Sequence, residues 1–189
     1  MIRTRSWLPP LMLVLVAAAI LLAMGRPPIC TCGRVTLWVS SSASPETSQM
    51  LADWYSASHI VHGLLFYAFL WLVARRLSYL GPVHRRFLVA LAIEAGWEIA
   101  ENSPWIIERY RSATAAVGYT GDSVLNSLSD MAMMALGFLL ARKLPLWAVA
   151  GAVLLLELVP LIAIRDNLTL NVLMLVHPSE SIRAWQAVH

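Results

Sequence analysis

Glu94, Glu98 and Glu101, with Asn102 beside them, fall in the string EAGWEIAEN inside an otherwise apolar stretch. At about 100° per residue on a helix, the three acids lie within roughly 60° of one another, on one face. A second stretch, GDSVLNSLSD, repeats the device with Asp122, Asn126, Ser129 and Asp130, while SHIVH sets His59 and His62 at i and i+3 and Glu157 stands alone in a further apolar run. Carboxylates beside imidazole can move protons in hydrolysis or group transfer, and they suit zinc, iron or manganese as ligands. The candidate catalytic residues are Glu98, Glu101, Asp130, Asp122 and Asn126, and the candidate ligands for a divalent metal cofactor are His59, His62, Glu98 and Glu101. The spacing permits a metal without demanding one: HIVH is not the HExxH arrangement, and EIAE lacks the histidine of a di-iron ExxH pair. No nucleophile stands out.

Apolar segments must position these groups. Hydrophobic residues make up 59% of the 189-residue chain and charged residues 13%, and the mean hydropathy is +0.67, which excludes an ordinary soluble domain. The reading is a single membrane domain over residues 1–189, an all-α bundle of about five transmembrane helices at 7–24, 58–73, 87–107, 123–141 and 146–164. Eight of the fourteen basic residues, Arg3, Arg5, Arg75, Arg76, Arg85, Arg86, Arg142 and Lys143, sit in three acid-free segments, one ahead of the first span and two between later spans. By the positive-inside rule those segments and the N-terminus are cytoplasmic. Loops 25–57 and 112–122 and the tail 165–189 then face outward. The first apolar run is long for a signal core and lacks a small-x-small cleavage site, so it reads as a retained span. The tail carries LTLNVLMLV, too short to span, and SIRAWQ, which suits an interfacial helix or a lid.

Depth follows from a rise of about 1.5 Å per residue. Counted from the basic ends, His62, Glu98, Asp130 and Glu157 all lie roughly 18–20 Å deep, so four helices place an ionisable group in one layer. Glu101, Asn126 and His59 lie further out, and Glu94 deeper. An acid at mid-bilayer costs about 2.5–3.5 kcal/mol on insertion scales, so four facing lipid would cost on the order of 10 kcal/mol. They must face inward, where the carboxylates need protons, a cation, a metal or a histidinium. The bland alternative is a hydrogen-bond network that only fixes helix packing.

Other residues carry weaker signals. Cys30 and Cys32 form CTCG in the first outward loop; a disulfide across one residue makes a small ring, which leaves a redox or ligand pair, or two packed thiols, as the readings. Arg109 and Arg111 in ERYR could bind an anionic head group, or could simply pair with nearby acids. The net charge of +3 and pI near 9.2 come from the orientation signals rather than from a basic stripe, so nucleic acid is not an expected partner.

The strings CTCG, DWYSASHIVHGLLFY, WEIAENSPWIIERYR, GYTGDSVLNSLSD, IRDNLTLNVLML and IRAWQ resemble those of an uncharacterised family of bacterial inner-membrane proteins, a domain-of-unknown-function family. That resemblance runs from about Gly25 to the C-terminus and implies a multi-pass protein of the bacterial inner (plasma) membrane. A weaker resemblance is to VanZ-like membrane proteins, which have a Glu-bearing helix, an Arg and a D-x-x-x-N helix with a later glycine, matched here by Glu94 or Glu98, Arg109, Asp122, Asn126 and Gly137. The functional expectation is a hydrolase or group transferase acting, at the bilayer, on a lipid-linked or envelope substrate. The alternatives are a proton- or cation-coupled transport or binding protein and a non-catalytic envelope assembly factor. Transport would need a second access route, and the chain is nearly all apolar on the inner side of Glu94.

Overall fold

A computed structural model describes residues 7–114 and 116–187 and is all-helical over them. The basic residues Arg3 and Arg5 lie outside the described residues. Among the described residues eight α-helices follow one another: α1 (Leu8–Ala23), α2 (Ser56–Ala74), α3 (Val83–Glu101), α4 (Pro104–Ala113), α5 (Val124–Lys143), α6 (Leu146–Ile164), α7 (Leu168–Val176) and α8 (Glu180–Gln186). A 3-10 turn, Ser78–Leu80, joins α2 to α3. Three of them, α2, α5 and α6, are long and apolar enough to cross a membrane. Helix α1 is equally apolar but has 16 residues, and α3 carries the three glutamates.

The predicted span at 87–107 is two helices. Asn102 ends α3, Ser103 is extended, and Pro104 opens α4 with the Ser103 hydroxyl accepting the Ile106 N–H at 3.4 Å. Proline clashes with a helical residue before it and needs no hydrogen-bond donor in a first turn, so Asn-Ser-Pro stops one helix and starts the next. Glu98 and Glu101 thus sit in the last turn of α3, next to a break in the backbone.

Helices α2 and α5 run parallel at the centre and touch backbone to backbone. A Cβ added to Gly63 would land on the Met134 carbonyl oxygen, and one added to Gly137 would land on the Ile60 carbonyl oxygen. With no side chains between them, the pair brings His59 and Asp130, one and two turns from those glycines, close together. Towards the basic end the bundle is filled by Leu70, Leu91, Met131, Met134 and Phe138, with Phe138 edge-on to Tyr67 at 5.1 Å and to Phe87 at 5.3 Å. Helix α1 packs here through Ala17. On α6, Pro160 alone is fully buried, which leaves an apolar surface suited to lipid.

The long connection 24–55 covers the other end. Its Pro27 and Pro28 carbonyls accept the Val124 and Leu125 N–H groups at 2.8 and 3.1 Å, and the Ser48 carbonyl accepts the Ser123 N–H at 3.0 Å, so the loop satisfies the free donors at the start of α5. Arg26 clamps the segment before α5, donating to the Thr120 and Asp122 carbonyls at 2.7 and 3.1 Å. Cys30 and Cys32 are joined as a disulfide, contrary to the sequence expectation. The turn that closes at Gly33 (φ +73°) folds the chain back, the Cys32 N–H meets Cys30 Sγ at 3.2 Å, and the Cα atoms come to 5.1 Å, a separation a disulfide spans.

Candidate functional site

His59 and His62 each have a carboxylate partner. His59 Nδ1 lies 2.6 Å from Glu94 Oε1, and His62 Nδ1 lies 3.1 Å from Glu94 Oε2, so one buried carboxylate on α3 bridges both imidazoles of α2. The rings meet edge to face at 5.2 Å, and His62 stacks on Phe66. His59 Nε2 points across to α5, 3.8 Å from Asp130 Oδ2, a separation too long for a hydrogen bond. Asp130 is held from its other side by the Ser56 hydroxyl at 3.2 Å.

Glu98 lies one turn beyond Glu94, fully buried, with neither carboxylate oxygen hydrogen-bonded. Its Oε1 is 3.5 Å from His59 Nδ1, a nitrogen already engaged by Glu94. Two groups of potential ligand atoms share it: His59, Glu98 and Asp130, and Glu98, Glu101 and Asp122. A third group is His59, His62 and Glu94. The four predicted ligands therefore do not form one set, because His62 turns to Glu94 while Glu98 and Glu101 approach Asp122.

Asp122 is fixed before α5 by three bonds: the Asn102 amide donates to it at 2.7 Å, the Tyr119 hydroxyl donates at 2.9 Å, and its own N–H reaches Asn102 Oδ1 at 2.7 Å. Burial pushes its carboxyl above the usual aspartate range, opposed by the Tyr119 and Asn102 hydrogen bonds. Burial likewise raises the Tyr119 hydroxyl well above its ordinary value, assisted by Asp122, so it stays a donor. Asn126 serves the scaffold, donating to the Met50 carbonyl at 2.9 Å. Asp122 precedes α5 as Asp53 precedes α2, so the positive ends of two parallel helices face this acidic end of the bundle.

A cavity of about 570 Å³ opens over these groups. His59, His62, Glu94, Glu101 and Asp130 reach it, Phe66, Ile93, Trp97 and Val172 give it apolar walls, and loop residues 42–45, 47–48 and 116–120 form its rim. No arginine or lysine lines it among the described residues. Arg109 turns away and donates to the Leu175 carbonyl of α7 at 2.8 Å, and Arg111 lies by a separate groove with Arg26 and Glu108. Glu157 also leaves the acid layer: its carboxylate accepts the Leu168 and Thr169 N–H groups at 3.2 and 3.1 Å, capping α7. The depth count says nothing of which way α6 is turned.

Sequence reasoning missed Asp53, Tyr55, Tyr110 and Asn171, all on the cavity wall. Asp53 accepts the Ser48 and Tyr55 N–H groups at 2.7 and 2.8 Å, and its carboxyl is raised by burial against those bonds. The signal available was Asp-x-x-Ser just ahead of α2, where Ser56 Oγ accepts the Asp53 N–H at 3.2 Å. Tyr110 joins Glu101 to α7 through Asn171 Oδ1 at 3.0 Å.

The fold and the site define a helical membrane protein with a buried carboxylate–imidazole cluster beneath an open, partly apolar cavity. The chain belongs to the protein-of-unknown-function family DUF2585, which matches residues 21–188. Among its relatives are UPF0314 proteins of Paracoccus denitrificans (strain Pd 1222), 51% identical over 98% of this chain and 94% of that protein, and of Sphingopyxis alaskensis, 51% identical over 96% and 95%. One from Agrobacterium fabrum is 52% identical over 92% of this chain and 86% of that protein. No solved structure matches the chain.

Proposed function

We propose that this protein is a multi-pass protein of the bacterial inner membrane, with its basic end in the cytoplasm, and that it hydrolyses or transfers a group on a lipid-linked or envelope substrate. The observation that carries the reading is a cavity of about 570 Å³ whose floor exposes His59 and Asp130 while its walls are apolar. Apolar walls with a few convergent polar groups suit an amphiphile whose tail stays in a dry surround while its polar part reaches the floor. Glu94 fixes the His59 ring through Nδ1 and leaves Nε2 as the free nitrogen. His59 Nε2 then takes a proton from the attacking water or hydroxyl, Glu94 stabilises the resulting imidazolium, and Asp130, opposite it, returns a proton to the leaving group. The packed residues Leu91, Met131, Met134 and Phe138 beneath the site favour one-sided access over transport.

The test is product formation by the detergent-solubilised full chain incubated with bacterial lipid extract and isoprenoid-linked pyrophosphates, read by mass spectrometry. Loss of product by about 100-fold in His59→Gln and Asp130→Asn is expected. No product from the wild type across ester-, phosphate- and pyrophosphate-linked lipids, or equal yields from folded variants, would sink the enzymatic reading.

A further inference from the structure

We propose that His59, Glu98 and Asp130 form a binding site for one divalent transition-metal ion at the cavity floor, with Glu94 as the outer carboxylate that orients His59. The proposal rests on the same floor being chemical and deepens that reading, with His59 and Asp130 holding the ion in place of the proton-transfer roles given above.

Three observations converge on it. First, one ligand atom from each of the three residues lies within 4.8 Å of the others, and the residues come from three different helices. Second, His59 Nε2 and Asp130 Oδ2 face each other at 3.8 Å with no hydrogen bond between them. Two donors each about 2.1 Å from a shared cation stand roughly 3.0–4.2 Å apart, so that gap has the width a metal fills. Third, Glu98 is wholly buried and neither of its oxygens has a hydrogen-bond partner. A carboxylate in that position is costly unless something binds it, and buried charges are normally paired or coordinate a metal.

The surroundings match what metal-binding histidines need. Glu94 accepts from His59 Nδ1 at 2.6 Å, which sets the tautomer that presents Nε2, the arrangement seen behind ligating imidazoles. His62 holds Glu94 from the far side, and Ser56 holds Asp130 at 3.2 Å. His59 and Asp130 both line the cavity, which supplies an entry path. One imidazole with two carboxylates suits zinc, manganese or iron(II), whereas magnesium and calcium take oxygen ligands. Three protein donors leave a coordination position for water or substrate.

The experiment uses the full chain in detergent, stripped with a chelator and then incubated separately with zinc, manganese, cobalt(II) and magnesium before unbound ion is removed. Retained metal is measured by elemental mass spectrometry, and cobalt(II) absorption reports the ligand field. About one equivalent of zinc, manganese or cobalt is expected, with magnesium held at least tenfold more weakly. Glu98→Gln and Asp130→Asn are each expected to lose at least tenfold in affinity, and Glu94→Gln about tenfold with a shifted cobalt spectrum. Glu157→Gln, whose carboxylate caps α7, is expected to bind like the wild type. Should Glu98→Gln fail to fold, Asp130→Asn and the wild-type spectrum decide. Wild-type protein that retains less than about 0.1 equivalent of every probe metal, or variants that bind as tightly as wild type, would overturn the proposal. Turnover by protein that retains no probe metal overturns it and leaves the enzymatic reading standing. Stoichiometric metal without turnover of any lipid substrate supports the site and removes the enzyme.

Discussion

At the scale of single residues, the cost of burying charge decides what each acid does. Asp166, between α6 and α7, shows this outside the spans. Its carboxylate accepts the Tyr55 hydroxyl at 3.2 Å, the Asn167 N–H at 2.9 Å and the Gln186 amide at 3.1 Å, yet burial pushes its pKa from 3.8 up to about 6. The native state therefore holds this proton more tightly than the unfolded chain does, and the stability it contributes is full below 3.8 and lost as pH rises through about 6. The thermal midpoint of the wild type, taken relative to Asp166→Asn, is expected to fall between roughly pH 4 and pH 7, and a constant difference across that range rejects the assignment. Glu94, Glu98 and Asp130 were legible in the sequence because a carboxylate in an apolar run is expensive enough to need a reason. Asp53 and Asp166 were not, because acids in loops are cheap when solvated and nothing in the string shows that these loops fold inward.

At the scale of elements, hydropathy located the apolar helices but not their faces or their joints. The break between α3 and α4 was written in Asn102-Ser103-Pro104, a stop and start signal that a window tuned to apolar runs passes over. The rotation of α6, which aims Glu157 at the first turn of α7, follows from packing across helices that periodicity does not encode. The crossing of α2 and α5 is a third such case. Gly137→Ala places a methyl group on the Ile60 carbonyl oxygen and must push the helices apart, so a loss of about 1–3 kcal/mol is expected, seen as a lower thermal midpoint and a smaller folded yield. Gly151→Ala on α6, where an added Cβ meets nothing within 4 Å, is the control and is expected to be neutral or slightly stabilising. Equal midpoints for the two variants contradict the close crossing.

At the scale of the whole molecule, the charges sort the two ends. Arg75, Arg76, Arg85, Arg86, Arg142 and Lys143 gather at one end of the bundle, and the cavity opens at the other. Under the proposed orientation, a Ser44→Cys variant in a Cys30→Ser/Cys32→Ser background is expected to react with a membrane-impermeant maleimide in intact spheroplasts. A Ser78→Cys variant is expected to react only after permeabilisation, and the opposite pattern inverts the assignment. The sequence disclosed which acids lie within apolar runs. It could not disclose which acids pair, because Glu94 and Glu98 differ by one helical turn and only the register of α3 against α2 chooses between them. The register of α2 against α5, by contrast, rests on the glycine contact, which has a mechanical consequence. Gly63 lies four residues from His59 and Gly137 seven from Asp130, so the two groups ride on arms of roughly 6 and 10 Å measured from the crossing. A swing of about 5° between the helices moves them by only about 0.5 and 0.9 Å. The crossing is a fulcrum set close to its load: thermal rocking of entire helices reaches the donor atoms as sub-ångström play, and that steadiness is owed to two positions that carry no side chain.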